Sequence, residues 1–160
     1  MHVQENACDP GGSGMIGFLQ RVSEARVAVR SSTVGAIGSG ILVLVGVLRE
    51  DTESDAERLL ELLLNYRVFP DAEGRMNRSV AETRGGLLLV PQFTLAEDTS
   101  SGNRASFTPA AEPARAKTLF DHLLFRARAL HADVASGEFG ADMQVMLVND
   151  GPVSFWLSTR

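Results

Sequence analysis

Residues 41–48, Ile-Leu-Val-Leu-Val-Gly-Val-Leu, are aliphatic throughout apart from Gly46. A strand that is apolar at every position has no wet face, so it belongs in the middle of a sheet covered on both sides. The chain has 160 residues, enough for one domain that buries roughly 70% of the surface its unfolded form exposes. No apolar run in it approaches the roughly 18 residues of a membrane span.

Other elements arrange themselves around that strand. Residues 17–22 and 25–29 read as two further strands, the second alternating Ala25, Val27 and Val29 against Arg26, Ala28 and Arg30. Gly35, Gly38 and Gly40 have the wrong spacings for a dinucleotide fingerprint and read as hairpin turns. Ser54-Asp55-Ala56-Glu57 has the spacing of a capping box and predicts a helix start. Ala56, Leu59, Leu60, Leu63 and Leu64 then form one apolar stripe. Val68-Phe69 is a short strand before Pro70-Asp71-Ala72-Glu73-Gly74, which has the composition of a turn. Residues 86–90 make a second aliphatic strand, running into Pro91-Gln92-Phe93-Thr94-Leu95 and a polar loop, 97–104. Pro113 suits the first turn of a second helix, whose stripe is Leu119, Phe120, Leu123, Leu124, Ala127 and Leu130. Residues 143–148 and 153–157 read as strands of a hairpin turning at Asn149-Asp150-Gly151-Pro152. The expected fold is α/β: a single domain with a mixed, curled, barrel-like sheet and two main covering helices. Residues 1–14, Gly-rich and polar, read as a flexible leader, and 15–160 as the domain.

Fifteen Lys and Arg against twenty Asp and Glu leave a net charge of −5, so no global basic field attracts nucleic acid. Lys117 is the only lysine, and arginine is the cation whose planar fork suits phosphate and carboxylate. A lone cysteine, Cys8, cannot form an internal disulfide, which fits a reducing, cytoplasmic compartment. His122 and His131 lie nine residues apart on one helix and point about 180° apart. With His2 and Cys8 in the leader, the chain offers no zinc site. Neither a phosphate loop nor a nucleophile elbow is present, since Ser39 is flanked at two residues by isoleucines. No cofactor and no metal are expected, and an enzyme built from these side chains carries little general acid–base chemistry.

Two segments are unusual for strand ends: Gln92-Phe93-Thr94-Leu95, and Asn149-Asp150-Gly151-Pro152-Val153-Ser154. Together they resemble the D-aminoacyl-tRNA deacylases, a family with Ser-Gln-Phe-Thr-Leu at the first place and Asn-x-Gly-Pro-Val-Thr at the second. Further matches are Leu19-Gln20-Arg21-Val22, Asp71-Ala72-Glu73-Gly74-Arg75-Met76-Asn77, Arg104 with Ser106-Phe107, and Phe139-Gly140-Ala141-Asp142-Met143-Gln144-Val145. The resemblance spans about residues 15–157. Pro91 replaces the family's serine and Ser154 its threonine, so a role for a serine at position 91 does not carry over.

The resemblance implies a homodimeric ester hydrolase that removes D-amino acids, and glycine mischarged on alanine tRNA, from the tRNA 3′ end. It implies that Gln92, Phe93 and Thr94 line the pocket floor. The Gly151-Pro152 pair, joined by a cis bond, is expected to reach into the partner subunit's pocket and take the substrate's α-ammonium on its carbonyls. Asn149, Met143, Arg104 and Phe107 are further candidate substrate-binding residues, although by residue type Met143 reads as core and Arg104 as a solvated charge. An aminoacyl ester is already activated and needs chiefly a placed water and donors for the oxyanion. The family mechanism looks substrate-assisted, the terminal ribose 2′-hydroxyl helping the water, and Thr94 is then a positioning group. Two other readings stay open: a non-catalytic module binding a D-amino acid or nucleotide, with Pro91 as its lesion, and an esterase for small D-acyl esters.

Overall fold

The aliphatic run becomes β3 (Gly40–Gly46), flanked on one side by β1 (Ile16–Val29) and on the other by β6 (Gly86–Pro91). The computed structural model describes residues 14–96, 102–104, 106 and 109–160. Ile41, Leu42 and Val43 are fully buried, as a strand without a polar phase requires. The expected leader lies outside the described residues except for Gly14.

The sheet is mixed. Its order is β2 (Ser32–Ile37), β1, β3, β6, β7 (Val134–Ser136), with β8 (Met143–Ser158) paired to β1 as well. β1 is antiparallel to β2, β3 and β8, whereas β3–β6 and β6–β7 are parallel. The sheet curls until β2 meets β7: a Cβ on Gly35 would stand 2.5 Å from the carbonyl oxygen of Ser136. The result is a nearly closed barrel. Val22, Ala25, Val27, Ile37, Leu42, Leu88 and Val90 fill its interior.

Helix α1 (Glu53–Asn65) covers the opposite face of the sheet, burying Ala56, Leu59, Leu60, Leu63 and Leu64 as the stripe predicts. Gly17 lets it approach, since a Cβ there would lie 3.0 Å from Leu59 Cδ1. α3 (Pro113–Leu130) packs beside it, with Pro113 in its first turn. Leu130, assigned to the stripe, is 59% exposed because it stands in the last turn, beyond the packed face. A short helix, α2 (Val80–Thr83), precedes β6, and β4 (Phe69–Pro70) with β5 (Met76–Arg78) makes a small hairpin about the predicted turn. Among the described residues no helix is long and apolar enough to cross a membrane.

Four local expectations are corrected. Residues 17–22 and 25–29 are one strand, because β8 offers partners along its whole length and a register shift absorbs the polar Ser23-Glu24. Likewise β8 is continuous: 143–148 and 153–157 pair with β1, not with each other, and residues 150–153 bulge out. Gly35 and Gly40 are not hairpin turns but sites where strands crowd, Gly40 against the backbone of Gly86, while Arg30 and Ser31, both at positive φ, turn β1 into β2. The helix start is Thr52-x-x-Asp55 in place of Ser54-x-x-Glu57, since Asp55 is held by Thr159 and Arg160 as well as by the cap.

Candidate active site

Leu87, Leu88, Leu89 and Val90 are fully buried, so β6 carries the chain rigidly up to Pro91, which stands opposite Val45. Gln92 adds the last rung, its N–H donating to the Val45 carbonyl at 2.8 Å. The chain then folds into a 3₁₀ turn, Phe93–Ala96, with Leu95 N–H donating to the Gln92 carbonyl at 3.3 Å. Gly46 lies directly beneath, where a Cβ would come 2.9 Å from Leu95 Cβ. Above this floor Phe93 is 61% exposed and Thr94 is exposed, and Gln92 Nε2 donates to Thr94 Oγ1.

Pro91 has no N–H to offer the ladder. Along β6 the N–H groups alternate in direction: Gln92 donates toward β3, and Leu87 toward Asp133, just before β7. An N–H at position 91 would point to the β7 side, beside Gly137, whose own N–H donates to the Leu89 carbonyl at 2.8 Å. The ring instead packs on Gly137, its Cδ 3.4 Å from where a Cβ would be, and Met143 Sδ closes the same spot at 2.8 Å. Met143 is half-buried beside Gly137 and Pro91, its sulfur taking the Glu138 N–H at 3.4 Å.

The second exposed element is the bulge of β8. Val22 pairs with Asn149 and Gln20 with Ser154, so two steps along β1 face five along β8 and the excess loops outward. Asn149 clamps the loop from one side, Oδ1 accepting from Val153 N–H at 2.8 Å and Nδ2 donating to Ser154 Oγ at 3.0 Å. That second bond explains why serine serves where the family pattern has threonine. At the tip the Gly151-Pro152 peptide is cis, Gly151 has φ +137°, and both residues are exposed. A Cβ on Gly151 would fall 2.7 Å from Val153 Cγ2 and 3.1 Å from Arg21 Nη2.

Arg21 is the bracing residue that motif reading passed over except as part of a matching segment. Its Nε donates to the Asp150 carbonyl at 2.9 Å and its Nη1 to the Val68 carbonyl at 2.6 Å, with the side chain only 13% exposed. The signal was present: Gly17, Leu19 and Arg21 share one phase of the strand, and the first two face the helices. A charge in a buried phase needs partners.

Within one chain the two elements do not meet on the sheet. β8, β1, β3 and β6 are successive neighbours, three spacings or about 14 Å across. Pro91 is level with Gly17 through Val45, whereas the bulge is level with Arg21. Between them runs a row of facing residues, Val90, Leu44, Phe18 and Trp156, buried at one end and 41% exposed at the other. Arg104 is exposed, and Phe107 lies outside the described residues. His131 Nε2 is 2.6 Å from the Gly85 carbonyl and His122 is 3.3 Å from Glu57, so the two histidines brace different neighbours.

A family model described as D-Tyr-tRNA(Tyr) deacylase matches residues 18–158, a stretch holding both exposed elements and the strands that brace them. The chain belongs to the D-Tyr-tRNA(Tyr) deacylase family. D-aminoacyl-tRNA deacylase of Thioalkalivibrio sulfidiphilus is 65% identical over 143 residues, covering 89% of this chain and 96% of that one. The enzyme of the same name from a Janthinobacterium strain is 60% identical over 146 residues, covering 91% and 98%. Among solved structures, one described as c-Myc DNA unwinding element binding protein superposes with a TM-score of 0.85 at 36% identity, covering 89% of this chain and 97% of the other. A probable eukaryotic D-amino acid tRNA deacylase superposes with a TM-score of 0.79 at 16% identity, covering 90% and 98%, and so shares the fold. The Gln92-Phe93-Thr94 turn and the Gly151-Pro152 loop are both exposed, and each is held from behind, the one through Val45 and the other through Arg21.

Proposed function

We propose that the chain hydrolyses the ester joining a D-amino acid to the 3′ end of tRNA, releasing free amino acid and tRNA, and does the same for glycine mischarged on alanine tRNA. The observation that carries this reading is the separation of two exposed, braced elements on one sheet, which makes each a half-site. In a homodimer the Gly151-Pro152 loop of one subunit enters the pocket floored by Gln92, Phe93 and Thr94 of its partner. The exposed end of the Leu44, Phe18 and Trp156 row supplies apolar surface for a second copy to cover.

An L side chain and a D side chain carry the same groups, so discrimination rests on a rigid obstacle at the position an L side chain takes. The loop fits that task because Asn149 and Arg21 fix it from both sides and the φ of proline is locked. The carbonyls of Gly151 and Pro152 accept the α-ammonium by charge-assisted hydrogen bonds. Backbone N–H groups of the turn after β6 face the developing oxyanion, and the ribose 2′-hydroxyl helps place the water. Thr94 Oγ1 already accepts from Gln92, and no base is paired with it among the described residues, so it positions substrate and does not attack. Asn149, Met143 and Arg104 contribute to holding the terminal aminoacyl-adenosine. The reaction belongs in the cytoplasm, where charged tRNA is used.

Incubating the protein with D-tyrosyl-tRNA and L-tyrosyl-tRNA tests the reading. Release of D-tyrosine with the L ester left intact is expected. Equal release from both, or release from neither, overturns it, and sedimentation as a monomer at assay concentration overturns the shared pocket.

A further inference from the structure

Beyond the two half-sites, the structure contains one buried acid whose arrangement neither packing nor capping accounts for. Asp51 is 0% exposed, and its carboxylate reaches back to the end of β3: Oδ2 accepts the Leu48 N–H at 2.7 Å, while Asp51 N–H donates to the Leu48 carbonyl at 3.1 Å. These two bonds close the turn 48–51. Asp51 Oδ1 is buried with no partner among the described residues, a state that costs free energy and calls for a reason.

The turn is placed where it bears on the hydrolytic floor. Leu48 packs with Leu95 and Ala96 of the 3₁₀ turn, together with Ile16 and Ala110. Arg49 N–H donates to the Pro109 carbonyl at 3.0 Å and Ala111 N–H to the Val47 carbonyl at 3.1 Å. From α3, Arg115 Nη2 donates to the Asp51 carbonyl at 2.8 Å. One turn thus supports the segment that carries Gln92, Phe93 and Thr94 and fastens the chain just before α3.

We propose that Asp51 is a positioning residue for the ester-hydrolysing site: its ionised carboxylate holds the turn under Leu95 and Ala96, and its protonation loosens the floor. A hydrogen bond to a carboxylate is roughly twice as strong as one to a neutral acid, so adding a proton weakens the grip on Leu48 N–H. Burial pushes this acid up to about 6, opposed by the Leu48 N–H. The charges that face it are Asp55 from α1, which raises it further, and Arg160 from the chain end and Arg115 from α3, which lower it. The group therefore changes state within the range in which the enzyme can be assayed.

The inference rests on the proposed site, and the experiment separates the two. KM and kcat for D-tyrosyl-tRNA are measured from pH 5 to 8 for the wild type, Asp51→Asn, Arg115→Gln and Gln92→Ala. The expected wild-type profile is a KM that rises several-fold toward acid with a smaller change in kcat. In Asp51→Asn the rise disappears and KM stays high throughout. Arg115→Gln, which removes a cation, moves the rise to higher pH, and this readout stands even where Asp51→Asn does not fold. A wild-type profile with no acid rise, a rise unchanged in Asp51→Asn, or one unmoved in Arg115→Gln overturns the role of Asp51. If Gln92→Ala leaves both constants at wild-type values, the site reading falls instead.

Discussion

The Arg21 guanidinium holds the Asp150 carbonyl at 2.9 Å and so ties the middle of β1 to the loop that presents Gly151 and Pro152. The same side chain donates to the Val68 carbonyl, spanning two parts of the fold with one planar fork. Lysine carries one compact donor group on its stem and does not reproduce that fork. Arg21→Lys is expected to lower the ratio of D to L hydrolysis by about tenfold or more, the equivalent of losing one charged hydrogen bond. Parallel kcat/KM measurements on the two tyrosyl esters check it, and an unchanged ratio contradicts the bracing role.

Thr94 is expected to be dispensable for bond cleavage. Its hydroxyl accepts from Gln92 Nε2, so Thr94→Ala removes one hydrogen bond and lowers turnover by about tenfold. Activity also persists in excess EDTA. A covalent acyl group trapped on Thr94, or complete loss with chelator, would show a different mechanism.

Replacing Pro91 restores an N–H on the β7 side of β6, beside Gly137. Pro91→Ser is expected to change kcat/KM by less than about threefold, under 1 kcal/mol. A gain of several orders of magnitude in single-turnover assays would show instead that proline at this position had weakened the enzyme.

Gly151 has two reasons to be glycine: φ of +137°, and no room beside Val153 Cγ2. Gly151→Ala should cost about 1–3 kcal/mol locally and displace the loop tip. Deacylation of the D ester should fall by at least about tenfold, and the strain should lower the melting temperature by a few degrees. Full D activity in this variant would place the tip away from substrate.

The pairing of Asp55 with Arg160 gives a pH signature to stability. The Arg160 hydrogen bond, chief among its contacts, holds the Asp55 carboxyl down to about 2. A depressed carboxylate stabilises the fold above its unfolded value near 4 and loses that contribution as pH falls toward 2. Asp55→Asn is expected to lose about 1 kcal/mol at pH 7, a figure reduced for screening at the half-exposed Arg160. The difference from wild type should narrow below pH 4. Urea titrations at pH 7 and pH 3 make the comparison, and an equal loss at both excludes the ion pair as its source.

How much of this was written locally follows from the same residues. The aliphatic strand and the α1 stripe are readable because period and burial are set within a few residues. The strand partners of Asn149–Ser154 are not, since the turn chemistry of Asn-Asp-Gly-Pro is the same whether its flanks pair with each other or with a third strand. Closure of the barrel at Gly35 and Ser136 joins positions distant in the chain and leaves only a glycine as its mark. The candidate residues Gln92, Phe93, Thr94, Gly151 and Pro152 are singled out by the family pattern, whereas the bonds of Arg21 and Asp51 became visible only when their partners were placed.

The continuity of β8 through its bulge decides how the Gly151-Pro152 loop moves. Both feet of the loop are strand pairings with β1, on residues whose neighbours form the core, so the loop opens only when the sheet does. Its conformational entropy is surrendered once, as the chain folds, and not again at each encounter with substrate. In the proposed site a ligand as small as one aminoacyl-adenosine has few contacts to give, and none of their free energy would be diverted into ordering this loop.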